Sequence, residues 1–133
     1  MIFADTSFWV ALQLARDARH EEAVALLRRH ASSGLLLSNH VVGETWTFLR
    51  RRAGHGAAVR FLDRLGRSGR AAVERVPEEL EQEALRWLRR HDEREYSFVD
   101  ATSFAVMRSR RIREVLAFDG DFAAAGFVEL RDG

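Results

Sequence analysis

Short strand-like runs alternate along this chain with longer stretches of helical periodicity, and few architectures accommodate that alternation. Ile2-Phe3-Ala4, Leu35-Leu36-Leu37-Ser38, Ala71 to Val76, Val115 to Phe118 and Phe127 to Leu130 are too short for helices. Strands buried on both faces read as continuous apolar runs, and helices between them argue for a parallel sheet covered on both sides. The expected fold class is therefore α/β: a three-layer α/β/α sandwich with a short, mostly parallel central sheet. With 133 residues, 47% of them hydrophobic, the chain fits one domain over residues 1–133 with one core.

The intervening segments carry recognisable start and stop signals. Thr6 to Arg16 reads as a first helix with Phe8, Trp9, Leu12 and Ala15 inward, and His20 to Ala31 as a second. Asn39 is placed to cap a third helix reaching Arg52. A fourth runs from Ala57 to Leu65, with Val59, Leu62 and Leu65 inward. Pro77 suits the first turn of a fifth, where Leu80, Ala84, Trp87 and Leu88 mark a core face. Ser97 caps a sixth helix to Arg110, and Asp121 to Ala125 is a short seventh.

Against this frame four acids sit where the chain has little use for them. Asp5 and Asp119 end strand-like runs, Glu44 interrupts an apolar helical stretch, and Asp100 lies among Phe98, Val99, Ala101 and Phe104. A carboxylate beside buried surface is costly unless it is paired, hydrogen-bonded or bound to a cation. Helix capping is a competing account for three of them. Asp5 precedes the first helix, Ser97-x-x-Asp100 has capping-box spacing, and Asp119 precedes the seventh helix with Asp121 in its first turn. Glu44 has no cap to make, and Arg50 to Arg52 lie too far along for an i, i+4 pair. If the fold brings the four together, a hard divalent cation held by oxygen ligands is the simplest account.

Composition removes several alternatives. The absence of cysteine excludes disulfides, thiolate metal sites and cysteine nucleophiles. All 21 basic residues are arginine. Arginine-favouring codon usage is the plainer explanation, but without lysine there is no P-loop phosphate site and no Schiff base. A phosphoacceptor signalling domain, which sets a lysine beside clustered aspartates, is excluded likewise. The five histidines lack metal-ligand spacing. Arg50 to Arg52 and Arg108 to Arg113 end predicted helices, where the dipole accounts for them. Arg50, Arg51, Arg108 and Arg111 are the candidates if a phosphate-gripping rim exists. The N-terminus reads as the first core strand, with no signal peptide and no membrane span, so a cytoplasmic protein is expected.

Four segments together resemble a known family: Asp5-Thr6-Ser7-Phe8-Trp9, Val42-Gly43-Glu44-Thr45, Tyr96 to Phe104, and Ala117-Phe118-Asp119-Gly120-Asp121-Phe122. They are similar to PIN-domain nucleases, in order and spacing to toxins of the VapC type from prokaryotic toxin–antitoxin pairs. The resemblance implies a Mg²⁺- or Mn²⁺-dependent endoribonuclease with Asp5, Glu44, Asp100 and Asp119 as its catalytic cluster. Asp121 matches an additional metal-side acid, and Thr6 or Ser7 the small polar residue beside the first. It further implies an RNA substrate, a small cognate antitoxin and a homodimer. One departure is Ala117, where members often carry Thr or Ser. The rival reading is a catalytically inactive PIN-like module that binds RNA or a protein partner.

Overall fold

The computed structural model describes residues 1–133. Five strands form one sheet: β1 (Ile2–Ala4), β2 (Leu35–Ser38), β3 (Ala71–Glu74), β4 (Glu114–Leu116) and β5 (Val128–Glu129). Their order is β3-β2-β1-β4-β5 and every pairing is parallel. Seven α-helices connect them: α1 (Thr6–Gln13), α2 (His20–His30), α3 (Asn39–Ala53), α4 (His55–Arg67), α5 (Glu78–Arg90), α6 (Phe98–Arg110) and α7 (Asp121–Ala124). No helix is long and apolar enough to cross a membrane.

The strand order fixes the layers. From β1 the chain steps outward through β2 to β3, then returns to the other side of β1 for β4 and β5. Right-handed crossovers in opposite directions place their helices on opposite faces of the sheet. Accordingly α1 packs with α2, α3 and α4, whereas α5 packs with α6, and α6 with α7. This is the three-layer arrangement expected. The reversal falls between β1 and β4, which pair through Phe3 with Val115 and Ala4 with Leu116. Ligand sites in such sheets lie beyond the carboxyl ends of the strands at that reversal, and Asp5 and Asp119 emerge there.

The core is continuous on both faces of the sheet. Phe3, Leu35, Leu36, Leu37, Val115 and Leu116 are buried, Trp9 packs on Phe61 on one side, and Phe104 meets Trp87, Phe122 and Phe127 on the other.

Several boundaries differ from the sequence expectation, each for a local reason. The first helix stops at Gln13 rather than Arg16, leaving Ala15 exposed. The His20 ring lies 2.9 Å from the Ala11 carbonyl, one of the acceptors freed at that end. Ser38, not Asn39, caps α3 by accepting from the Val41 amide. Asn39 instead accepts from the amide of Val76 just past β3. Pro77 is the cap residue before α5 rather than its first helical position. In α4 two apolar stripes compete for the core, and the one carrying the larger ring wins. Ala57, Ala58 and Phe61 are buried, while Leu62 is exposed.

Candidate metal-dependent active site

Asp5 follows the last residue of β1 and caps α1, its Oδ2 accepting from the Ser7 amide (3.2 Å) and the Ser7 hydroxyl (2.9 Å). The Ser7 hydroxyl in turn accepts from the Phe118 amide (3.0 Å), tying this corner to the segment after β4. Asp5 is 2% exposed, and its Oδ1 is buried with no hydrogen-bond partner. An orphaned carboxylate oxygen in a protein interior is costly.

The other acids repeat a pattern of one bound oxygen and one left over. Asp100 completes the capping box of α6: its Oδ2 accepts from the Ser97 amide while its own amide donates to the Ser97 hydroxyl, both at 3.0 Å. Asp119 Oδ1 accepts from the Asp121 amide (3.1 Å), a turn made possible by Gly120 at φ +82°. The cap position of α7 falls on Gly120 rather than on Asp119. Asp121 Oδ1 accepts from Arg94 Nε (2.9 Å), whose Nη2 also reaches the Asp119 carbonyl. Capping and site formation are thus not alternatives, because each aspartate uses one oxygen locally and turns toward the others.

Carboxylate oxygens of Asp100, Asp119 and Asp121 lie within 4.8 Å of one another, close enough to share a cation. Asp5 stands outside that tight trio but feels it. Loss of water on burial raises its pKa to about 8, helped by the charges of Asp119 and Asp100 and opposed by the Ser7 bonds. Burial likewise lifts Asp100 to about 6, with Asp119 and Asp121 adding to the rise. The Asp119 carboxyl is raised first by the protein packed around it and then by Asp121 and Glu129, although the residue is open to solvent on one side. Burial is the larger cause of all three shifts, and repulsion among clustered acids without a counter-charge adds to it.

Glu44 completes the assembly from α3. It is half-buried, lines the same cleft of about 550 Å³ as the four aspartates, and accepts no hydrogen bond. Seven acids line that cleft (Asp5, Asp17, Glu44, Glu95, Asp100, Asp119, Asp121) against two arginines, Arg19 and Arg52. Thr6 lies behind Asp5 and accepts from the hydroxyl of Thr45, the neighbour of Glu44 (3.3 Å). The donor set is all oxygen, includes an orphaned buried atom and carries excess negative charge, which suits a hard divalent cation.

The candidate arginines divide. Arg51 lines an adjoining hollow with Glu44 and Phe48, whereas Arg50 is exposed and lines neither. Arg108 lies over the rings of Trp87 and Phe127, and Arg111 forms the left-handed end of α6, opposite to the end holding Asp100. Arg52, grouped in the sequence with Arg50 and Arg51 at a helix end, also lines the cleft. Residues the sequence did not single out include Arg94, hidden in the mixed-charge stretch Asp92-Glu93-Arg94-Glu95, and Arg19 at the cleft wall. No periodicity marks them.

Ser7 offers a test of the scaffold. Ser7→Ala strips a donor from Asp5 and orphans the Phe118 amide, so stability should fall by about 1–3 kcal/mol. Urea unfolding measures this, and an unchanged midpoint would refute the bridging role.

Comparison with known proteins agrees with this geometry. The family model described as "PIN domain" matches residues 2–128. The chain is 58% identical over 131 residues, 98% of each partner, to the 23S rRNA-specific endonuclease VapC20 of Mycobacterium tuberculosis. The crystal structure of that organism's VapC20, a sarcin–ricin loop cleaving toxin, superposes with a TM-score of 0.89. The identity is 56%, covering 99% of this chain and 100% of that one. FitAcB from Neisseria gonorrhoeae shares the fold alone, with a TM-score of 0.69 at 19% identity over 98% and 96% of the two chains.

Proposed function

Because the chain belongs to the PIN-domain family, we propose that it is a divalent-metal-dependent endoribonuclease, the toxin of a type II toxin–antitoxin pair. By its likeness to VapC20, the substrate is 23S rRNA at the sarcin–ricin loop. Residues 1–133 act as one nuclease domain in the cytoplasm, as a homodimer held in check by a small cognate antitoxin. The single observation that carries the reading is the orphaned Oδ1 of Asp5 beside Asp100 and Asp119, on the floor of a cleft whose charge would repel RNA.

Asp5, Asp100, Asp119 and Asp121 are the residues that would hold Mg²⁺ or Mn²⁺. Such an ion supplies Lewis acidity, acidifying a water and offsetting charge on the scissile phosphate. The chain's own groups do the rest. Ser7 fixes the Asp5 rotamer, and the Ser97 amide, donating to Oδ2, fixes that of Asp100, so these carboxylates are set before substrate arrives. Arg94 holds Asp121 in place through its Nε. Thr6, accepting from the Thr45 hydroxyl, ties the start of α1 beside Asp5 to the turn of α3 that carries Glu44. Glu44, with no hydrogen-bonding partner of its own, is free to take a proton from the attacking water as that oxygen bonds to phosphorus, while the P–O bond to the leaving oxygen breaks and that oxygen takes a proton from solvent. Arg51 and Arg52 flank Glu44 and suit the neighbouring phosphates.

Incubating the chain with ribosomes or 23S rRNA, with Mg²⁺ or Mn²⁺ or with excess chelator, and mapping the new ends, tests the proposal. Cleavage within one loop that chelator abolishes is expected. Cleavage indifferent to chelator would remove the metal, and stable RNA binding without cleavage would favour the inactive module.

A further inference from the structure

The acid-lined cleft does not end at Arg52. A second hollow of about 380 Å³ shares Asp17 and Arg52 with it and extends to Gln13 and Arg16. A third, about 400 Å³, shares Gln13 and is otherwise lined only by Arg60, Arg64, Arg67 and Ser68. Neighbouring hollows share lining residues, so the three succeed one another from the Asp5 end of α1 to the Gln13 end. At about 1.5 Å per residue that helix is roughly 12 Å long.

The far end of this series has its own chemistry. Arg60, Arg64 and Arg67 fall at i, i+4 and i+7 on one face of α4. None forms a salt bridge within the chain, and no carboxylate or apolar side chain lines the hollow. The helix dipole accounts for Arg64 and Arg67 in the last turn but not for Arg60. Arg64 is held in place by donating through Nε to the Gln13 side-chain oxygen, from a different helix.

We propose that this arginine face is a second phosphate-binding site, gripping the backbone of the RNA several nucleotides from the scissile bond, so that substrate lies along α1. This rests on the nuclease reading for the identity of the ligand. Planar guanidinium forks match phosphate oxygens bidentately, and the hollows succeed one another toward a cleft suited to a phosphodiester. An acidic protein segment is the weaker occupant, because stable protein contacts centre on desolvated, closely packed pockets with apolar cores, and this hollow is lined by polar groups alone.

The test is the triple substitution Arg60→Ala, Arg64→Ala and Arg67→Ala, with the triple lysine variant as a charge-keeping control. On a 23S rRNA fragment KM should rise at least about tenfold with kcat held within about twofold, and the lysine variant should recover most of the loss. In the Asp5→Asn background, binding of the same fragment should show a salt slope shallower by about 2, from three single-strand contacts at about 0.7 each. An unchanged KM and slope would overturn the proposal, as would a fall in kcat alone. So would loss of poly-glutamate binding with RNA binding intact. Failure of the otherwise wild-type chain to cut any RNA would count against the nuclease reading instead, and the salt slope would still decide this one.

Discussion

Asp5→Asn should abolish RNA cleavage while leaving the chain folded, and in the absence of metal it should fold more stably than the parent. Asn is nearly isosteric and is itself a good helix N-cap, so the bonds from the Ser7 amide and hydroxyl have an acceptor to keep. What disappears is a buried carboxyl group with one oxygen unpartnered in the protein, which the folded chain without metal must keep protonated near neutral pH although the unfolded chain would ionise it. Loss of a cation worth several kcal/mol of transition-state stabilisation, at about 1.4 kcal/mol per tenfold, is a fall of about a thousandfold or more in single-turnover rate. Asp100→Asn should behave alike, although there the capping box of α6 is also at stake. Single-turnover cleavage and thermal melting of the same preparations separate the two effects. A variant that unfolds would show Asp5 to be chiefly structural, and one that still cuts at the parental rate would remove it from the site.

The second large effect is on stability against pH. Once unfolded, Asp5 loses its proton at its ordinary value near 4, whereas in the folded chain burial and the neighbouring acids hold the proton until about 8. Between those values the folded state binds more protons than the unfolded one, so the metal-free chain loses stability as pH rises through the window. Below pH 4 both states are protonated and Asp5 contributes nothing; above pH 8 both are ionised and the full cost remains. At pH 7 the cost from Asp5 alone is roughly 4 kcal/mol. Asp100, raised to about 6, and Asp119 steepen the same slope in the same direction. A divalent cation selects the ionised carboxylates, so Mg²⁺ or Mn²⁺ at about a hundredfold over Kd should return about 2.7 kcal/mol. Melting from pH 5 to 8 with and without metal measures this. Parallel curves for the parent and Asp5→Asn would contradict it.

Much of this site could be read from the chain because its acids punctuate apolar runs. Asp5 and Asp119 stand directly after strand-like segments, and parallel sheets place ligands at such ends. What the sequence withheld was the strand order. Nothing in Ile2 to Ala4 or Val115 to Phe118 says that β1 and β4 pair, and that pairing is what puts Asp5 and Asp119 on either side of the reversal. The dual use of the aspartates was hidden for a similar reason. A capping box at Ser97 and Asp100 reads completely at the local level, and only tertiary contact reveals that the same carboxylate lies against Asp119 and Asp121. In α4 the choice between Leu62 and Phe61 for the core depended on Trp9 from another helix. Arg94 acts from a loop with no periodicity, and helical spacing alone does not say that Arg60, Arg64 and Arg67 line one hollow together with Gln13 of α1.

The most direct measurement is calorimetric titration of Mn²⁺ into the metal-free chain near pH 7, repeated in buffers of different ionisation enthalpy. The expected result is saturable binding whose heat depends on the buffer, because Asp5 enters the titration protonated and must release its proton as the ion binds. In Asp5→Asn both the binding and the proton release should be lost. Absence of saturable binding, or Mn²⁺ binding in which Asp5→Asn changes neither affinity nor proton release, would contradict a shared cation as the reason these carboxylates converge.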